Sequence, residues 1–111
     1  MGATLTRATA PIDETSIATA FARDGLTPAR WSNAPGDAYS QHTHTYHKVL
    51  FCLSGSITFQ LVASAESIKL RPGDRLDITP NTRHNAVVGP EGVTCIEAAI
   101  PPSDRSRARS R

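Results

Sequence analysis

No stretch of this chain holds more than five consecutive apolar residues, the longest being Val49-Leu50-Phe51-Cys52-Leu53. A membrane-crossing helix needs about 20, so a spanning helix is excluded and no membrane partner is expected. Aromatic residues make up only 5% of the 111 positions, and there are two cysteines. Cys52 and Cys95 form no CxxC pair, which removes the common cysteine-based redox and zinc motifs. Each lies in an apolar run, VLFCL and VTCIEAAI. The start of the chain lacks the basic cluster and apolar stretch of a secretory signal. Reduced, buried thiols and a cytoplasmic location are therefore expected, in preference to a disulfide. Gly2 followed by Thr6 fits a myristoylation pattern, a match too short to carry weight.

A surplus of one charge is also missing once the C-terminus is set aside. The net charge of +2 comes from PPSDRSRARSR, where Arg105, Arg107, Arg109 and Arg111 face Asp104 alone. Residues 1–100 carry 8 basic and 9 acidic groups, a balance of −1. The basic stretch 101–111 reads as a solvated flexible tail, no helix-turn-helix region is present, and nucleic acid is not an expected partner.

What remains is an ordinary composition for one small globular domain, 39% hydrophobic and 20% charged. Residues 1–12 are Thr- and Ala-rich without periodicity and are expected to be loose. Asp13 is placed to cap a short helix over 14–23 that ends near Gly25. Ile17, Ala20 and Phe21 would share its apolar face. These residues form an N-terminal segment, 1–28. From Ala29 the character changes. Turn residues recur about every ten positions: APGD (34–37), SGS (54–56), RPGD (71–74), TPNT (79–82) and GPEG (89–92). That rhythm predicts an all-β antiparallel sandwich or barrel over 29–100, with strands at 29–33, 38–44, 47–53, 56–63, 67–70, 75–79, 83–88 and 93–100.

Three of the four histidines fall within HTHTYHK, residues 42–48, and the fourth is His84. Side chains two apart on a strand point to the same face, so His42 and His44 can offer two imidazoles together. His84, directly after a turn, can bring a third from a later strand. Neutral imidazoles suit Fe, Mn, Ni, Cu or Zn.

At this point the sequence resembles the cupins. Their first motif is a glycine, five residues, HxH, three or four residues, a glutamate, six residues and a glycine. Here Gly36 is followed by DAYSQ, His42-Thr43-His44, TYH, Lys48, VLFCLS and Gly55. The second motif, PGD followed after a strand by PxGxxH, is matched by Pro72-Gly73-Asp74 and Thr79-Pro80-Asn81-Thr82-Arg83-His84. Asn81 holds the glycine position, which calls for left-handed backbone, and Asn tolerates that best after Gly. Thr79 replaces a proline and Val88 a terminal asparagine. The resemblance covers about residues 29–100 and implies a small double-stranded β-helix, or jelly-roll barrel, with a short N-terminal helix. It implies one divalent transition metal held by His42, His44 and His84.

Lys48 stands where the motif carries its glutamate ligand, and a protonated lysine cannot ligate a cation. Two readings follow: either His47 is a fourth nitrogen ligand, or the site has three histidines with Lys48 beside it. Counting back from Gly55, Lys48, Leu50 and Cys52 face inward while His47, Val49, Phe51 and Leu53 face outward, which favours the second. An inward Lys48 needs a partner, with Asp77 and Glu97 as candidates. It either serves structure alone or holds or deprotonates a substrate as a catalytic group. Tyr39, Tyr46 and Arg83 flank the ligands.

The resemblance spans dioxygenases of diketones and flavonols, thiol dioxygenases, sugar isomerases and polyketide cyclases, so the fold does not choose the reaction. The first expectation is a mononuclear metal-dependent enzyme, oxygenase-like, acting on a small oxygenated organic molecule. The alternatives are a non-catalytic binding or sensor barrel, with or without metal, and a barrel that serves chiefly for assembly. A homodimer is expected, using the outward set Val49, Phe51 and Leu53 together with the 14–23 helix.

Overall fold

The computed structural model describes residues 2–10 and 12–100. Its elements are β1 (Ala3–Thr6), α1 (Glu14–Arg23), β2 (Ala29–Asn33), β3 (Ala38–His42), β4 (His47–Leu61), β5 (Glu66–Leu70), β6 (Arg75–Ile78) and β7 (His84–Ile100). Every strand pair is antiparallel. Two long strands, β4 and β7, run beside each other and serve two sheets. Their outer halves join β1, β6 and β2: Lys48–Phe51 pairs with Ile78–Arg75, and Val93–Glu97 pairs with Asn33–Ala29. Their inner halves join β5 and β3: Ile57–Leu61 pairs with Leu70–Glu66, and His84–Val87 pairs with His42–Ala38. The result is the all-β barrel that the turn rhythm predicts, in the jelly-roll form that the resemblance implies, with one helix on its outside.

Two stretches expected to separate strands instead bend them. SGS lies inside β4 and GPEG inside β7. Gly55 and Gly92 have φ of +73° and +77°, a region open to glycine at no steric cost. A Cβ on Gly55 would lie 2.0 Å from the Gly92 carbonyl oxygen, so the two backbones cross in near contact. The register shifts on both sides of the crossing, between Cys52 and Ser54 and between Gly55 and Ile57. These glycines are corners at which the chain passes from one sheet to the other without leaving the ladder.

The segment expected to be loose is also ordered in part. β1 pairs with β6, from Ala3 opposite Ile78 to Thr6 opposite Arg75. Its anchor is Asp74 of the PGD turn, which accepts from the Ala8 amide at 3.0 Å, the Arg71 amide at 2.9 Å and Arg7 Nη1 at 2.7 Å. Burial opposes ionisation of Asp74, but these donors hold its pKa below the usual carboxylate value. The missing signal was tertiary: nothing within residues 1–12 announces a carboxylate from residue 74.

α1 follows its sequence signals closely. The Asp13 carboxylate accepts from the Ser16 amide at 2.8 Å. The helix ends in a Schellman motif, with Gly25 N–H on the Ala22 carbonyl at 3.0 Å and Leu26 N–H on Phe21 at 3.0 Å. Period-two alternation on β4 then sorts the side chains. Leu50 and Cys52 face the barrel core with Ile57, Phe59, Leu70, Leu76 and Cys95. Val49 and Phe51 face outward with Ile96 and Ala98, where Ile17 and Phe21 cover them. Phe21 and Phe51 meet edge to face, their ring centres 5.5 Å apart. Of the outward set Val49, Phe51 and Leu53, the first two lie beneath the chain's own helix and Leu53 is partly buried against the same cluster. Cys52 and Cys95 are free, fully buried thiols directly opposite each other on β4 and β7. No helix of the described residues is long and apolar enough to cross a membrane. The basic stretch 101–111 lies outside the described residues.

Candidate metal centre

The end of β3, the start of β7 and the loop between β3 and β4 bring three imidazoles together. β3 stops at His42 rather than at residue 44, so His44 sits just past the strand end. His42 lies directly opposite His84 across the β3–β7 ladder. The Asn81 amide donates to the His44 carbonyl at 2.7 Å, tying the turn before β7 to the histidine loop. Asn81 has φ of +63°, the left-handed backbone its glycine position calls for.

Ring centres are separated by 4.8 Å for His42 and His44, 4.4 Å for His42 and His84, and 5.2 Å for His44 and His84. One nitrogen from each lies within 4.8 Å of the others. On a single ion in tetrahedral geometry, with metal–nitrogen bonds of about 2.1 Å, two nitrogens stand about 3.4 Å apart. The three rings therefore lie near one another but must draw closer by up to about 1.4 Å to share an ion.

Two of the rings have their orientation set from behind. His42 Nδ1 lies 2.6 Å from the Ser40 carbonyl, and His84 Nδ1 lies 2.8 Å from the Thr82 carbonyl. A carbonyl accepts only, so each Nδ1 carries the proton and each Nε2 presents a lone pair. The Nε2 atoms of His44 and His84 are buried with no hydrogen-bond partner among the described residues. Such atoms cost about 1–3 kcal/mol each when left unmatched. Burial pushes the His44 imidazole down to about 4, and Lys48, His42 and His84 add to the shift. Burial also lowers His84, against the pull of the Thr82 carbonyl, with His42 and Lys48 contributing. Both rings are therefore neutral at pH 7, the form that ligates metals. Oriented, neutral and unpartnered nitrogens fit a divalent transition ion.

Beside the cluster is a cavity of about 230 Å³ between the two sheets. One wall carries His42, His84, Tyr39, Ile57, Phe59 and Ala86, from β3 and the inner halves of β4 and β7. The other carries Trp31, Lys48 and Glu97, from β2 and the outer halves. Lys48 Nζ lies 3.4 Å from Glu97 Oε1, and that oxygen also accepts from Trp31 Nε1 at 2.7 Å. Of the two partners considered for Lys48, Glu97 is the one the fold supplies. Asp77 is instead held on the outer face by Arg75, at 2.8 and 3.0 Å, and by His47 Nε2 at 2.9 Å. His47 thus lies outside the three-histidine cluster, on the face that its parity predicts.

Tyr39 lines the cavity and donates its hydroxyl proton to Asn33 Oδ1. Tyr46 packs its ring against His44, with centres 4.8 Å apart. Arg83 is exposed and lines a different groove, with Gly2, Leu61 and Asn81. Trp31 was missed by sequence reasoning. Glu97 was foreseen only as a charge partner, although its parity with Cys95, opposite to Ile96 and Ala98, marks it as inward-facing.

A barrel of two sheets that share their long strands, with three clustered imidazoles beside a small cavity, defines a jelly-roll protein with a candidate mononuclear metal centre. The family model for the cupin domain matches residues 29–96, and the chain belongs to the cupin family. No curated protein matches the sequence. Among solved structures, an RmlC-like cupin from Shewanella frigidimarina is 21% identical with a TM-score of 0.60, over 73% of this chain and 70% of that one. The polyketide cyclase RemF from Streptomyces resistomycificus is 20% identical with a TM-score of 0.61. That match covers 67% of this chain but 53% of the cyclase, so the chain spans about half the cyclase's length. A DUF861 family protein from Thermotoga maritima superposes over 88% of this chain and 99% of its own, with a TM-score of 0.62 at 9% identity.

Proposed function

We propose that this cupin is a mononuclear metal-binding protein and a metal-dependent enzyme, oxygenase-like, that acts on a small oxygenated organic molecule. The observation that carries the reading is the pair of buried, partnerless Nε2 atoms on His44 and His84 beside an internal cavity. His42, His44 and His84 would hold a divalent ion (Fe, Mn, Ni, Cu or Zn), which supplies Lewis-acid polarisation or one-electron chemistry when bound. Ile57, Phe59 and Ala86 keep water away from the bound molecule. Lys48, across the cavity, offers a cation to an anionic oxygen of the substrate and is the candidate catalytic group. The expected cytoplasmic location and homodimeric assembly belong to the same proposal. Cyclisation, the chemistry named for one structural neighbour, stays within its range.

A specific observation favours a second reading, a non-catalytic binding or sensor barrel. Lys48 occupies the family's glutamate position and is paired with Glu97, so no carboxylate completes the histidine set from that position and a positive charge stands near it.

Elemental analysis of anaerobically purified protein separates the two. The enzyme reading expects about one transition ion per chain, lost in a His42→Ala/His84→Ala double variant. It also expects O₂ uptake with small diketones or thiols. Absence of metal, even after incubation with Fe²⁺, Mn²⁺, Ni²⁺ and Zn²⁺, overturns it and leaves the binding barrel.

A further inference from the structure

The wall opposite the histidines has a hydrogen-bonding pattern of its own. Glu97 Oε1 is engaged twice, by Trp31 Nε1 at 2.7 Å and by Lys48 Nζ at 3.4 Å. Those contacts fix the carboxylate of a residue that lines the cavity. Its second oxygen, Oε2, has no partner among the described residues, and neither do the remaining N–H groups of Lys48. The Lys48 side chain is only 14% exposed and that of Glu97 25%. A cationic donor and an anionic acceptor thus stand side by side with capacity left over. The pair is partly open to solvent, so water meets these groups until a ligand with a matching anion and donor displaces it.

Simple ligands answer only one half. A plain carboxylate satisfies Lys48 but meets the Glu97 carboxylate as a like charge. A neutral alcohol or amide satisfies Glu97 Oε2 and leaves the ammonium without an anion. The third wall element is apolar, from Ile57, Phe59 and Ala86. The volume of about 230 Å³ equals roughly seven or eight waters at about 30 Å³ each, enough for a molecule of about ten heavy atoms.

We propose that Lys48 and Glu97 form a specificity pair for a small monoanionic acid that bears an O–H or N–H donor next to its carboxylate and an apolar remainder. The carboxylate sits on Lys48, the adjacent donor points to Glu97 Oε2, and the apolar part lies against Phe59 and Ile57. Trp31 is a positioning residue that holds Glu97. The inference rests on the reading of this cavity as the substrate site, but not on the metal.

Calorimetric titration of chelator-treated full-length protein tests it with three probes of matched size: mandelate, phenylacetate (which lacks the hydroxyl donor) and methyl mandelate (which lacks the anion). Mandelate is expected to bind about tenfold or more tightly than either relative, the range of one charge-assisted hydrogen bond. Lys48→Met should abolish the preference over methyl mandelate. Glu97→Gln keeps an acceptor for Trp31 and should narrow only the preference over phenylacetate. Circular dichroism and melting of each variant establish that it is folded. Equal binding of all three probes, or a mandelate preference that survives both substitutions in folded variants, overturns the proposal. Because metal content is measured separately, loss of the metal reading with the probe preference intact, or the reverse, distinguishes the two failures.

Discussion

Replacing His84 by leucine should leave the metal-free protein about as stable as the parent. A residue that is 1% exposed normally cannot be exchanged so freely, since altering buried side chains typically costs about 2–5 kcal/mol. His84 differs because one of its nitrogens is satisfied and the other is not. The substitution gives up the Nδ1 bond to the Thr82 carbonyl and leaves that buried acceptor without its donor, a loss of about 1–3 kcal/mol. It also removes a buried Nε2 without a partner, relieving about 1–3 kcal/mol. Leucine has a similar volume and suits the neighbouring Phe59 ring, 6.1 Å away. The two terms are of the same size, so the net change in chelator lies within about 2 kcal/mol of zero. Adding metal separates the two proteins. At one hundred times its dissociation constant, an ion that binds only the folded form stabilises the parent by about 2.7 kcal/mol, or about 10 °C in a domain of this size. The variant gains nothing. Thermal melts of both proteins, each in chelator and in added Zn²⁺ or Mn²⁺, measure all four states. A variant weaker by 3 kcal/mol or more in chelator, or an equal metal effect on both proteins, would refute the reasoning.

Two further tests address the scaffold. Gly25 and Gly55 have nearly the same φ, +71° and +73°, but a Cβ meets nothing within 4 Å at Gly25 and the Gly92 carbonyl oxygen at 2.0 Å at Gly55. Denaturant unfolding should show Gly25→Ala costing about 1–2 kcal/mol from backbone conformation alone. Gly55→Ala should cost several times more or prevent folding, and equal costs would contradict the corner assignment. At Asp74, donors hold the folded pKa below the ordinary 3.8, so its stabilisation is present above that value and is lost as pH falls through the folded pKa. Asp74→Asn should therefore lower stability by about 2 kcal/mol at pH 7, with the gap to the parent closing as pH falls from the ordinary 3.8 through the lower folded value. A constant gap across that range would show that the charge plays no part.

The parts of the fold that local chemistry decides were legible in the chain. The helix over 14–23 and the strand over 29–33 were readable because their signals, the Asp13 cap, Gly25 and the apolar spacing, act within one or two turns. The inward parity of Lys48 and the left-handed turn at Asn81 follow from strand alternation and glycine-like geometry. What escaped depends on distant partners. A glycine cluster reads the same whether it ends a strand or turns a corner, and only the near contact of Gly55 with Gly92 decides. β1 exists because Asp74 and β6 are there to receive it. The three metal-ligand candidates were visible as a motif. The opposite wall was not, since Trp31 on β2 gains its meaning only when register sets it against Glu97.

The shared strands carry a consequence for how the molecule comes apart. Because β4 and β7 each belong to both sheets and cross at Gly55 and Gly92, the ladder between them cannot open in one sheet alone. Amide exchange along that shared ladder should accordingly proceed through one global opening rather than through separate local ones. The edge strands β1, β2, β3 and β5 and the helix, each attached on one side, are positioned to detach beforehand. The cavity residues on the two shared strands, Lys48, Ile57, Phe59, His84, Ala86 and Glu97, are therefore held in place by the last part of the barrel to open.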